Sequence, residues 1–261
     1  MSKTIFITGA GSGLGRGAAI GLAKKGHRLI ATTETTSQKT SLLSEADELG
    51  LDMEIFKLDI QNARDRAQID EYDFDIFVAN AAINEGGPLA EVPMDRVREL
   101  FDVNVFSTLE TVQHAARKFV EKGKGKIILM SSMAGISSTP YVGPYTATKH
   151  AIEGIAKTLQ AELEKHGVQV ATINPGAYNT GFNDRSSEEI YKWYDEEKDF
   201  TRLQDMKEQE KMLEDQYDPQ DMIEKMIEII PLDHHNFRTV WPEEMIDQLK
   251  DAEKERWDME I

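Results

Sequence analysis

A phenol and an ammonium stand four residues apart in Tyr145-Thr146-Ala147-Thr148-Lys149. On a helix that spacing puts both side chains on one face. A free tyrosine, with a pKa of about 10, is a poor base near neutrality. A neighbouring ammonium favours the phenolate and lowers that value. Such a pair can trade a proton with a substrate oxygen near physiological pH. The spacing alone is a weak signal. Tyr194 and Lys198 repeat it inside an acidic stretch that follows no strand, where a solvated helix face is the plainer reading. Tyr145 differs in its company, because Ser131 and Ser132 precede it at the end of an apolar run.

A second candidate lies near the N-terminus, in Thr8-Gly9-Ala10-Gly11-Ser12-Gly13-Leu14-Gly15. Glycines let a backbone turn tightly and approach a pyrophosphate. A following helix N-terminus then offers free N–H groups and a positive dipole end to the anion. Glycines also make plain turns, but directly after an N-terminal strand and opening a helix the pattern is a strong sign of a dinucleotide site. Its spacing is T-G-x-x-x-G-x-G, on Gly9, Gly13 and Gly15, rather than G-x-G-x-x-G.

These groups need a scaffold, and the hydrophobic pattern supplies one. Strand-like runs fall at Thr4–Thr8, Arg28–Thr32, Met53–Leu58, Asp75–Ala79, Lys126–Met130, Gln169–Ile173 and Arg238–Trp241. Helical periodicity fills Gly13–Lys25, Lys39–Leu49, Tyr145–Lys165 and Pro219–Ile230. A short helical turn fits Ala63–Ile69, and Pro93 opens a long helix reaching about Val120. Strands that alternate with helices and are apolar on both faces imply parallel pairing under two helical layers. The expected fold is α/β, a Rossmann-type doubly wound parallel sheet of about seven strands, forming a single domain over residues 1–261. In such sheets ligands sit beyond the carboxyl ends of the strands. The glycine turn, Asn80 and the serine pair all fall at such ends.

Composition bounds the function further. The chain has 261 residues, 40% of them hydrophobic, enough for a sizeable core. It has no cysteine, which excludes disulfides, thiolate metal sites and a cysteine nucleophile. Thirty basic residues against 47 acidic leave a net charge of −17. A nucleic-acid partner is not expected, since that needs a basic face. No run approaches the roughly 18 apolar residues of a membrane span, and the N-terminus lacks signal-peptide regions, so a cytoplasmic protein is expected. Six histidines show no metal-ligand spacing; His234-His235 is the one close pair, and no metal site is expected. The eleven methionines, among them Met222 and Met226, sit mostly at helical spacings and read as core. The acid is concentrated between Gly181 and Gln220 and after Trp241. Residues 182–218 are expected to form an acidic insertion covering the substrate site, because an insertion of this length is usually functional or mobile. The tail from Trp257 to Ile261 reads either as a fraying end or as an intersubunit contact.

The T-G-x-x-x-G-x-G turn and the Tyr145/Lys149 pair together resemble the short-chain dehydrogenase/reductase family, over about residues 3–181. The family spacing selects Ser132 over Ser131. The resemblance implies a catalytic set of Asn104, Ser132, Tyr145 and Lys149. It also implies cofactor contacts from Gly9, Ser12, Gly13, Leu14, Gly15, Asp59, Ile60, Asn80, Ala81, Lys149, Pro175, Gly176 and Thr180. Asp59 would bind the adenine and Thr180 the nicotinamide carboxamide. Ser132 would hydrogen-bond the substrate carbonyl and Tyr145 would supply the proton. Lys149 would tune Tyr145 and bind the nicotinamide ribose, and Asn104 would hold a water linking Lys149 to solvent. Two departures stand out. Ala79 and Ala82 replace the first Asn and the Gly of the family's N-N-A-G, and the third crossover is short by about six residues.

The implied activity is NAD(P)-dependent hydride transfer between a secondary alcohol and a ketone. A dinucleotide-binding regulator that has lost its chemistry, or a lyase or isomerase on the same fold, are the alternatives. Cofactor choice is read at the end of the second strand. There Thr33 takes the position of the family's NAD-selecting Asp and Glu34 follows where an Arg often marks NADP. No basic residue lies in the turn, so the expectation leans to NAD. Met133, Tyr141, Tyr178, Phe182 and Trp193 are candidates to line a mixed apolar substrate pocket. Family members commonly form dimers or tetramers through the helices that carry Asn104 and Tyr145, so a homo-oligomer is expected.

Overall fold

The computed structural model describes residues 2–211 and 215–261. Residues 212–214 of the expected 182–218 insertion lie outside the described residues. Seven strands form one parallel sheet: β1 (Thr4–Ile7), β2 (Arg28–Thr33), β3 (Met53–Lys57), β4 (Ile76–Ala79), β5 (Gly125–Met130), β6 (Val168–Pro175) and β7 (Arg238–Trp241). Their order is β3-β2-β1-β4-β5-β6-β7. The chain thus winds outward from β1 in one direction, then crosses back to β4 and continues in the other. The direction reverses between β1 and β4, where a crevice opens above the strand ends.

Alternation along the strands divides the core. Ile5 and Ile7 of β1 point into one layer, where α1 (Gly13–Lys24) and α2 (Thr36–Glu48) pack through Ala18, Ala19, Leu22, Leu42 and Ala46. Phe6 points the other way, into a layer built on Phe74, Phe77 and Phe119. Phe6 stacks on Phe77 with ring centroids 5.3 Å apart, and Phe74 meets Phe119 edge to face at 5.3 Å. Such pairs add about 0.5–1.5 kcal/mol beyond the area they bury. The third crossover holds only α3 (Ala63–Ala67) and a 3-10 turn at Gln68–Glu71, in keeping with its expected shortness.

The long helix expected from Pro93 to about Val120 is interrupted. It consists of α4 (Met94–Phe101), a π-helical turn at Asp102–Ser107, and α5 (Thr108–Lys122). A π turn carries one extra residue, so a backbone carbonyl loses its usual partner. The Thr108 hydroxyl donates to the Val103 carbonyl at 3.1 Å, which supplies a substitute. Periodicity reads a net apolar face and is blind to one inserted residue.

The remaining helices are α6 (Gly143–Leu163), α7 (Phe182–Ile190), α8 (Leu203–Lys211), α9 (Pro219–Ile229) and α10 (Met245–Trp257). Met222 and Met226 of α9 are fully buried against α1, as their spacing suggests. The last helix, α10, extends well before the tail that begins at Trp257. Among the described residues, the segment from Asn179 to Tyr217 contains α7, α8 and one isolated parallel bridge between Tyr178 and Tyr217, and no strand. No described helix is long and apolar enough to cross a membrane.

Candidate active site

The glycine turn leads from β1 into α1. Gly9 adopts φ +69°, and a Cβ there would stand 2.7 Å from the Ala81 Cα. A Cβ on Gly15 would strike the Asn80 amide and lie 2.7 Å from the Gly9 carbonyl. Both positions therefore exclude a side chain. The turn is braced from β4: Asn80 Nδ2 donates to the carbonyls of Thr8 and Gly9, both at 3.0 Å. The Thr8 hydroxyl in turn accepts from the N–H groups of Asn80 (3.0 Å) and Ala81 (3.2 Å). Ser12 caps α1 in extended conformation without a side-chain hydrogen bond to the helix. The first-turn N–H groups of α1 thus face the crevice without a side-chain cap, as an anion site requires.

Ser132 lies where β5 leaves the sheet. It caps a short 3-10 turn, its Oγ accepting from the Ala134 N–H at 3.1 Å. Tyr145 and Lys149 occupy one face of α6, with Lys149 Nζ 5.4 Å from the centre of the Tyr145 ring. Lys149 is 3% exposed and donates to the Met130 carbonyl at 2.8 Å. Burial lowers its pKa to about 8, with the Glu153 carboxylate opposing. Burial pushes the Tyr145 phenol above its ordinary value, while the Ser132 side chain pulls it back. Burial thus outweighs the Ser132 hydrogen bond, and the phenol stands above its ordinary value rather than below it. Phe182, the first residue of α7, meets the Tyr145 ring edge to face at 5.7 Å.

A cleft of about 270 Å³ joins these parts. It is lined by the glycine turn, Glu34, Asp59, Ile60, Asn80, Ala81, Ser132, Tyr145, Lys149, Pro175, Gly176 and Thr180 among others. Leu14 also lines it, as do Tyr178 and Phe182 of the expected substrate residues. Several expected positions fall elsewhere. Thr33 is fully buried and donates its hydroxyl to the Thr35 carbonyl, so strand alternation turns it away and Glu34 alone reaches the cleft. Asn104 is fully buried and spends its amide on the Ile83 backbone, accepting from its N–H and donating to its carbonyl, both at 2.9 Å. Its Nδ2 also reaches the Thr148 hydroxyl at 3.3 Å, and Asn104 is not among the residues that line the cleft. Trp193 lies against Gly87 and donates to Glu85 at 3.3 Å, away from the cleft. Met133 packs on Gly176, and Tyr141 sits in a loop with φ 63°. The second Tyr/Lys pair is also outside, Tyr194 donating to the Thr201 carbonyl and Lys198 pairing with Asp195.

Sequence reasoning passed over Gln38, Glu99, Val103, Asn183 and Arg185, which line the cleft. Gln38 carried a readable signal. With Thr35 it forms a capping box on α2, the T-x-x-Q pattern that marks a helix start. Arg185 carried none, being one cation in an acid-rich stretch. Among the described residues no group of three or more histidine or acidic side chains is placed to hold a metal ion.

A dinucleotide fits this set on two structural grounds. Two positions of the turn are closed to any Cβ beside uncapped N–H groups. In addition, the cleft that begins at this turn continues past Glu34 and Asp59 to Lys149, Gly176 and Thr180, so one groove joins the anion site to the Tyr145/Lys149 pair. Residues 3–190 match the family model described as short chain dehydrogenase. The chain belongs to the short-chain dehydrogenase family.

A diacetyl reductase [(S)-acetoin forming] from Staphylococcus epidermidis is 34% identical to this short-chain dehydrogenase over 199 residues, covering 74% of this chain and 77% of the relative. A gluconate 5-dehydrogenase from Burkholderia cenocepacia, solved with NADP and tartrate, is 29% identical with a TM-score of 0.66, covering 71% and 75% of the two chains. A short chain dehydrogenase/reductase from Burkholderia phymatum, solved with NAD, shares the fold across 99% of this chain and 96% of its own, with a TM-score of 0.81 at 21% identity. The expectation of an NAD(P)-dependent oxidoreductase acting on a CH–OH group agrees with this membership.

Proposed function

We propose that this short-chain dehydrogenase interconverts a secondary alcohol and a ketone, with Tyr145 as the group that exchanges a proton with the substrate oxygen. The observation that carries this reading is the convergence of Ser132, Tyr145 and Lys149 on one wall of the cleft whose other wall is the glycine turn. When bound, a nicotinamide dinucleotide supplies or accepts the hydride. The turn from Gly9 to Gly15 would hold its diphosphate, Asp59 and Ile60 its adenine, Lys149 its nicotinamide ribose, and Pro175, Gly176 and Thr180 the nicotinamide end.

In the reductive direction, Ser132 donates a hydrogen bond to the substrate carbonyl and Tyr145 gives up its phenolic proton to the oxygen. Burial holds that proton on Tyr145 until the oxygen needs it. The Lys149 ammonium stabilises the phenolate left behind. Asn104 acts at one remove, fixing the Ile83 segment beside the cleft. The apolar surfaces of Tyr178 and Phe182 favour a partly hydrophobic substrate. On this reading residues 1–261 form one domain, and the described parts of 182–218 cover the substrate end.

The cofactor reading favours NAD. Glu34 would repel a 2′-phosphate, and Gln38, Asp59 and Gln61, the other polar residues of that region, add no positive charge. Arg16, the nearest cation in the turn sequence, is tied to Glu45 at 2.6 Å and to Ser41. The protein is read as a cytoplasmic homo-oligomer with no membrane partner, and its charge of −17 argues against a nucleic-acid partner.

Reduction of diacetyl, followed by loss of NADH or NADPH absorbance, tests the reading. Tyr145→Phe is expected to lower turnover roughly 10²–10⁴-fold while cofactor binding persists. Near-native turnover in that variant refutes the assignment. NADH is expected to give the lower KM of the two cofactors.

A further inference from the structure

Three side chains from three elements form a polar cluster that no step above uses. Glu153 lies one helical turn beyond Lys149 on α6 and is 3% exposed. One carboxylate oxygen accepts from Asn174 Nδ2 of β6 at 2.7 Å, and the other is ion-paired with Arg238 of β7. Asn174 is fully buried, and its Nδ2 also donates to the Ser132 carbonyl at 3.0 Å. Its Oδ1 accepts from the Thr172 hydroxyl at 2.9 Å. Both amide hydrogens and the amide oxygen are engaged, so a flipped amide would set its oxygen against two acceptors.

The cluster sits where β5 leaves the sheet. The β5–β6 pairing ends at Met130 and Ile173, and the Ser131 N–H donates to the Ile173 carbonyl at 2.8 Å. Ser132 lies beyond that last rung, and the Asn174 side chain supplies the next link to its backbone. Lys149 is fastened to the same strand end through the Met130 carbonyl. A buried carboxylate is costly to desolvate, and packing alone would be served as well by an apolar residue. Arg238 stays about one-third exposed, so Glu153 is the member that carries charge inward.

We propose that Glu153, held between Arg238 and Asn174, is a positioning residue that keeps the Lys149 side chain charged and, through Asn174, fixes the backbone of Ser132. The proposal rests on the reading of Ser132, Tyr145 and Lys149 as the reacting set. The groups facing Lys149 are few. Tyr145 and Glu153 are its titratable neighbours on α6, β5 presents the Met130 carbonyl, and Ser131 and Ser132 just beyond that strand line the same cleft. Glu99 of α4 and Arg185 of α7 line the same cleft. Arg238 of β7 acts through Glu153. Of these, Glu153 is the charge that opposes the effect of burial on the ammonium.

The test is a ¹³Cε NMR titration of the lysines in the intact protein, without cofactor or turnover. The Lys149 resonance is the one missing in Lys149→Met. That assignment separates it from Lys126, which burial also holds near 8. In Glu153→Gln the shape and the hydrogen bond from Asn174 remain while the charge is gone. The Lys149 midpoint is expected to fall by roughly half a unit or more. In Arg238→Gln the opposing cation is gone and the midpoint is expected to rise. Opposite shifts from one cluster follow from charge; a packing role would lower the stability of both variants and move neither midpoint. Unchanged midpoints in both folded variants overturn the proposal. Should Glu153→Gln not fold, Arg238→Gln decides alone, and an unchanged or lowered midpoint there overturns it. If Tyr145→Phe proves active instead, the functional reading fails while this measurement keeps its own outcome.

Discussion

Tyr145 and Lys149 are perturbed by burial in opposite directions, and the sign of each decides the expected pH dependence. Burial disfavours the charged form of either group, so Tyr145 holds its proton to higher pH and Lys149 loses its proton at lower pH, near 8. Reduction needs a protonated phenol and a charged ammonium together. Its rate is therefore expected to be level from about pH 6 to 7 and to decline as pH rises past about 8, where Lys149 becomes neutral. A pH profile of diacetyl reduction with saturating NADH measures this, and a rate still level at pH 10 contradicts it. Tyr145 and Lys149 were legible in sequence because spacing on a helix fixes direction, and the strand end offered Ser131 and Ser132, between which the family resemblance chose. Their electrostatics were not, because desolvation depends on what covers a residue, and in this case residues distant in the chain do so. The same limit applies to Asn104, whose amide is spent on Ile83 of a separate loop. It applies to Thr33 as well, where one step of strand alternation decides between Thr33 and Glu34.

At the scale of elements, periodicity located every strand and most helices, because apolar residues recur with the period of each element. It failed where two elements share one face, as at the π turn between α4 and α5. It also said little about the polar stretch after Pro175, where tertiary contacts decide. Those contacts are now specific. Arg96 of α4 bonds Glu85 and Glu189, both at 3.0 Å, and so joins the loop after β4 to α7. Trp193 donates to the other oxygen of Glu85. Glu85 is buried, and burial raises its pKa while the Arg96 hydrogen bond pulls it down. Arg96→Met leaves two carboxylates without their shared cation and frees one end of α7. Losing one partner of such a partly buried pair costs about 1–3 kcal/mol. Hydrogen exchange over residues 182–193 is expected to quicken accordingly, and the KM for ketone to rise about tenfold with a smaller change in kcat. Exchange equal to that of the unaltered protein would show that Arg96 does not hold α7.

For the whole molecule, a net charge of −17 opposes self-association, since copies of the chain repel one another. An assembly must then bury enough apolar surface to offset that repulsion. Phe106 offers such surface. It is 55% exposed, lies in the π turn two residues beyond Asn104, and is flanked by Phe101 with ring centroids 6.4 Å apart. Burying a side chain of this size stabilises an interface by roughly 1.5–3 kcal/mol. A two-fold contact uses each residue twice, so the effect of one substitution doubles. Placing a carboxylate there adds repulsion to the lost burial. In light scattering after gel filtration at 0.15 M salt, the protein is expected to elute at a multiple of 29.5 kDa and Phe106→Glu at 29.5 kDa. Because salt screens the repulsion, the assembly is also expected to weaken as ionic strength falls. A Phe106→Glu variant that keeps the full assembled mass would place the interface elsewhere on the surface.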